Sequence, residues 1–119
     1  MDRKKELKLQ YKEMKPPMGV FIIRSNFSNK CYIEATQDLK SKINSTKFKL
    51  GAGNHPNKGL QKEWTEYSAE NFTIEILENL EYDKKDETKT DYSEELALLQ
   101  MIWEERLVKE NMEFYKKKL

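Results

Sequence analysis

Two short apolar runs, separated by six residues of turn chemistry, constrain this chain more than anything else in it. Residues 18–24 read Met-Gly-Val-Phe-Ile-Ile-Arg, and residues 31–35 read Cys-Tyr-Ile-Glu-Ala. Between them lies Ser-Asn-Phe-Ser-Asn-Lys. β-Branched and aromatic side chains suit a pleated, half-buried surface, whereas Ser and Asn favour turns. A connection this short admits an antiparallel hairpin and not a parallel crossover. Side chains alternate along a strand, so Tyr32 and Glu34 share a face. Pro16-Pro17 sets where the hairpin begins, because proline ends any helix that precedes it.

The rest of the chain alternates in period. Leu7, Tyr11 and Met14 share one helical face, which predicts a helix over residues 1–15 that packs on the main domain as an N-terminal extension (1–17). A helix is expected over 36–50, with Thr36 as its N-cap and Leu39, Ile43 and Leu50 inward. Another is expected over 57–67, carrying Leu60 and Trp64. Residues 72–77, Phe-Thr-Ile-Glu-Ile-Leu, alternate as a third strand, and 81–90 read as a charged loop. From Tyr92 a long helix buries Leu96, Leu99, Ile102 or Trp103, and Leu107, with Asp91 and Glu94 at capping-box spacing. The fold class is therefore α/β (α+β): a three-stranded antiparallel sheet flanked by helices, with the main domain at 18–110 and a basic tail at 111–119.

At 119 residues the chain has room for one domain with a real core. Cys31 is the single cysteine, so no internal disulfide forms, and a reducing, cytoplasmic setting is expected. No stretch has the length of a membrane span, so no membrane association is expected. The net charge of +1 hides a split. Residues 1–62 carry fourteen Lys/Arg against five Asp/Glu, while residues 63–113 carry five against sixteen. One half could face a polyanion that the other would repel.

Several strings stand in a fixed order along this pattern. They are Gly19-Val20-Phe21, Tyr32-Ile33-Glu34, His55-Pro-Asn-Lys-Gly-Leu-Gln61, Glu70-Asn-Phe-Thr-Ile-Glu-Ile-Leu77 and Trp103-Glu-Glu-Arg-Leu107. Together they resemble the GIY-YIG nuclease family, in the branch that holds the catalytic domains of homing endonucleases. The two-tyrosine motif is short; the histidine string and the Glu-Asn-Phe before a strand are more specific. The resemblance implies metal-assisted phosphodiester cleavage, with Mg²⁺ or Mn²⁺ as cofactor in an active member.

Carried over position by position, the family's site residues fall on Phe21, Tyr32, Lys42, His55 and Gln100. Phe21 stands where the family has its first tyrosine and lacks the hydroxyl. Lys42 replaces an arginine and loses the two-pronged contact to phosphate. Gln100 takes the place of the metal-binding glutamate, and a neutral amide is a poor ligand for a hard cation. Glu34 replaces the glycine that closes the second motif and is the one candidate substitute ligand. The family's late asparagine has no match. The resemblance thus implies a degenerate site: no bound metal is expected, and little or no cleavage. Nucleic-acid binding through Lys40, Lys42, Lys47, Lys49, Lys58 and Lys62, weak and largely sequence-independent, is the implied role, in DNA-linked regulation. An active endonuclease with altered residues, or a module that binds a protein partner, are the alternatives.

Overall fold

The computed structural model describes residues 15–115. The helix expected over 1–15, apart from Lys15, and the tail lysines 116–118 lie outside them. The elements run β1 (Met18–Ser25), β2 (Lys30–Thr36), α1 (Leu39–Ala52), α2 (Lys58–Tyr67), a 3-10 turn (Ala69–Asn71), β3 (Phe72–Leu80), α3 (Ser93–Lys109) and β4 (Glu113–Phe114). Among the described residues no helix is long and apolar enough to cross a membrane.

The hairpin forms as the two runs dictate, with β1 and β2 antiparallel and Phe21 opposite Glu34. β3 pairs antiparallel with the other edge of β1. The sheet order is β3-β1-β2-β4. The expectation of three antiparallel strands is therefore corrected: a fourth, two-residue strand runs parallel to β2, with Lys30 opposite Glu113 and Cys31 opposite Phe114. Asn111 produces it. Its φ of 65° is the left-handed conformation that asparagine tolerates better than most residues. This turns the chain back after α3, and the Asn29 side-chain amide donates to the Asn111 carbonyl at 2.8 Å. Just beyond β4, Tyr115 is buried in the core.

Alternation along β1 divides that core. Phe21 and Ile23 face α1 and α2 with Leu39, Leu50, Leu60 and Phe72. Val20 and Ile22 face α3 with Cys31, Ile33 and Leu107. Two helix starts differ from the sequence reading. Thr36 closes β2, and its hydroxyl accepts from the Asp38 N–H; Asp38 then caps α1 by accepting from the Ser41 N–H at 3.0 Å. At α3, Asp91 accepts from the Ser93 N–H and hydroxyl, and no Glu94 capping box forms. Within α3, Ile102 faces solvent and Trp103 packs inward.

Gly19, the glycine of the first motif, has a steric reason to be there. A Cβ at that position would lie 2.0 Å from the Glu78 carbonyl oxygen and 2.8 Å from the Asn79 Cα. Both obstacles are backbone of the adjacent strand, next to the irregularity in register at Val20/Phe21. Gly19→Ala must push β3 away from β1. It is expected to lower stability by about 3 kcal/mol or more, read as a fall in the urea midpoint. An unchanged midpoint would mean that β3 shifts without cost.

Candidate active site

Tyr32 and Glu34 project from the same face of β2, toward α1. The Tyr32 hydroxyl donates to Glu34 Oε1 at 2.5 Å. Lys42, one turn into α1, reaches the other carboxylate oxygen, Nζ to Oε2 3.1 Å. The ion pair is partly solvated and worth at most about 1 kcal/mol to stability. Its significance is occupancy: the hydroxyl and the ammonium that could face a phosphate both face Glu34. Burial, and then the bond to Glu34 and its charge, push the Tyr32 phenol far above its ordinary range. Tyr32 therefore holds its proton at neutral pH. Phe21 sits beneath, opposite Glu34 and with no exposed surface, as a core side chain.

His55 lies edge-on to Tyr32, ring centres 5.1 Å apart, and is only 3% exposed. Its Nδ1 accepts from the Asn57 N–H at 3.0 Å, which puts the ring proton on Nε2. Burial is the main influence holding its pKa below the ordinary value, aided by Lys49 and Lys42 and opposed by Glu34. His55 is thus neutral, a donor at Nε2.

Asn57 and Gln61 fix the histidine. Asn57 Oδ1 caps α2 by accepting from the Leu60 N–H, and its amide donates to the Tyr115 carbonyl at 3.2 Å. Gln61 Oε1 accepts from the His55 N–H at 2.9 Å, while its amide donates to the Leu50 carbonyl and the Thr65 hydroxyl. Both belong to the histidine string, but the sequence reading gave neither a role in the site. Their signal was an asparagine just before an apolar helical period, at N-cap position.

From the opposite side of the sheet, α3 brings Gln100 to the free edge of β2. Gln100 Oε1 accepts from the Ala35 N–H at 3.1 Å. A cleft of about 300 Å³ lies along this edge, lined by Tyr32, Glu34, Asn57, Gln100, Glu104 and Tyr115, among others. Glu104, a turn beyond Gln100 on the same helical face, was also missed; the i, i+4 spacing alone could have found it.

No protein-family model and no curated protein matches the chain by sequence. Its shape does find neighbours. The catalytic domain of the homing endonuclease I-TevI superposes with a TM-score of 0.64 at 21% identity, covering 84% of this chain and 99% of that one. A mutant of the same intron-endonuclease domain superposes with a TM-score of 0.64 at 19% identity, covering 87% and 97%. The chain has the GIY-YIG nuclease fold.

Within the GIY-YIG fold, the sequence-derived positions gather around β2. Tyr32, Lys42 and His55 meet on the α1 side, Gln100 arrives from the α3 side, and Phe21 is sealed below. The site does not suit a divalent cation. Gln100 is neutral and its oxygen already accepts a backbone N–H, and Glu34 is held by Tyr32 and Lys42. Among the described residues no group of three His, Cys, Asp or Glu could share an ion. The lysines diverge. Lys42 and Lys49 lie near His55; Lys47 borders a groove with Trp64 and Phe72; Lys40 stands beside Asp38 and Pro17; Lys62 faces Phe27 and Glu63. Lys58 opens α2.

The depressed histidine sets a pH response. Below the ordinary His value of 6.5 the unfolded chain takes up a proton that folded His55 resists. The stability from neutral His55 is full above that value and is lost as pH falls toward the folded pKa. Urea midpoints should therefore drop between about pH 7.5 and about pH 5.5. The drop should be smaller in His55→Asn, whose Oδ1 can replace Nδ1 as acceptor. Equal drops in both proteins would assign the effect to other groups.

Proposed function

We propose that this chain is a GIY-YIG-fold domain that binds nucleic acid and does not cut it, a pseudoenzyme that acts in DNA-linked regulation by occupying its target. The observation that carries this reading is the carboxylate of Glu34, which takes both the Tyr32 hydroxyl and the Lys42 ammonium. A phosphate entering there would meet a fixed negative charge instead of two donors. Gln100 adds to it, because an engaged neutral amide cannot anchor a metal ion against a phosphodiester.

Binding is supported by α1. From Leu39 to Ala52 it carries Lys40, Lys42, Lys47 and Lys49 and no acidic side chain. Phe48 stands between two of these lysines and is 77% exposed, a ring available to stack on a base. Because Lys42 is paired and the others fan out, only about two phosphates are neutralised at once, which gives a log–log salt slope near −2.

The test has two parts. Pure protein incubated with plasmid and branched DNA in Mg²⁺ or Mn²⁺ should leave both intact. Metal-dependent cleavage that His55→Ala abolishes would overturn the pseudoenzyme reading in favour of an active endonuclease with altered residues. In fluorescence anisotropy at low salt, the parent should bind a labelled duplex with the shallow slope above, and Lys47→Glu/Lys49→Glu should bind at least about tenfold more weakly. No binding by the parent, or equal binding by the double variant, removes the nucleic-acid reading.

A further inference from the structure

A groove of about 530 Å³ opens between α1, α2 and β3. It is lined by Lys47 and Gly51 of α1, Trp64 of α2, Ala69 of the 3-10 turn, and Phe72 and Ile74 of β3. Its size and its mostly apolar walls are those of a site for a small ligand or for one flat group of a larger one. Trp64 stacks on Phe72 with ring centres 5.0 Å apart and planes 28° apart, and Phe27 meets Phe72 edge-on at 5.7 Å. Phe72 is buried and anchors this aromatic wall in the core, while Trp64 is half-buried and forms part of the open lining.

The fold itself gives no steric reason for Gly51. It lies inside α1, where glycine weakens a helix, and a Cβ there would meet nothing within 4 Å. A larger side chain at this position would enter the groove. Charge then selects the occupant. Lys47 is the charged residue of the lining, and it makes no ion pair among the described residues. The clefts beside Tyr32 and Phe27 carry carboxylates instead, Glu34 and Glu104 in one and Glu63 and Glu66 in the other. An aromatic wall next to an unpaired cation matches a base and its phosphate, the two features by which proteins hold single strands. An apolar peptide side chain would use the wall and leave the cation without a partner. A duplex keeps its base faces inside the stack, so the base that fits here is an unpaired one.

We propose that this groove is a subsite for one unpaired base of a DNA strand, packed against Trp64 in the space beside Gly51, with the adjoining phosphate on Lys47. The inference rests on the nucleic-acid reading above and adds to it a preference for single strands over duplex. The subsite lies on the β3 side of α1, away from Glu34.

Anisotropy at low salt with oligothymidylate and with an abasic DNA strand of the same length separates base from backbone, because the two strands carry the same charge. The full-length parent should bind the base-bearing strand about tenfold more tightly, the effect of stacking one base. That strand alone should quench its tryptophan fluorescence. Gly51→Leu should bind both strands with the parent's abasic affinity and show no quenching, while its urea midpoint equals or exceeds the parent's. Equal affinity of the parent for the two strands would overturn the inference and leave the lysine-based reading intact. A tenfold preference that Gly51→Leu retains would place the base elsewhere, as on Phe48, and would also overturn it. If neither strand nor a duplex binds, the nucleic-acid reading falls together with the subsite. In that case an anilinonaphthalene dye taken up by the parent and not by Gly51→Leu would assign the groove to an apolar peptide. A doubled mass in light scattering that Gly51→Leu abolishes would assign it to a second copy.

Discussion

Strand β1 is hydrogen-bonded along both edges and covered on both faces, and the rest of the molecule is arranged around that condition. Met18, Val20, Phe21, Ile22 and Ile23 have no exposed surface. Because successive side chains point to opposite faces, Phe21 and Ile23 commit α1 and α2 to one side, and Val20 and Ile22 commit α3 to the other. A slip of one residue would invert both assignments at once, so the register is strongly fixed. The position of the site follows. β2 lies one strand out from β1, at an edge that both helical layers can reach, and so Lys42 and Gln100 approach it from opposite sides.

The histidine string has a structural role that does not depend on chemistry. Asn57 and Gln61 tie together the end of α1, the start of α2 and the chain after β4 through buried polar bonds. Such a network is stable when every member is satisfied and costly when one is missing, and no buried side-chain polar atom among the described residues lacks a partner. The string that most specifically resembles the nuclease family therefore has a reason to persist that is independent of any cleavage. Its presence reports the fold. Glu34 and Gln100, which line one cleft with Asn57, bear on the chemistry.

Much of the fold was legible because it rests on periodicity. The hairpin, the third strand and the buried sides of the helices came from period-2 and period-3.6 patterns, and the proximity of Tyr32 and Glu34 came from alternation alone. What escaped rests on single residues or tertiary contacts. β4 is too short to show a period and exists because Asn111 turns the chain back onto β2. The α1 cap moved to Asp38 because Thr36 was already used in β2. For the site, the residue types were readable, but their engagement was not. No sequence pattern says that the Gln100 oxygen would meet the Ala35 N–H, or that Glu34 would take a tyrosine and a lysine together.

That Gln100 bond has a consequence for solubility. β4 covers only the first two residues of β2, so the later part of that strand is an open sheet edge, with the Ala35 N–H directed away from β1. Open edges invite strand addition by other chains and are a common start of aggregation. A glutamine reaching over from α3 satisfies the exposed donor and keeps an incoming strand from pairing there. A position suited, in a nuclease, to holding a cation can in this chain guard the protein against its own copies.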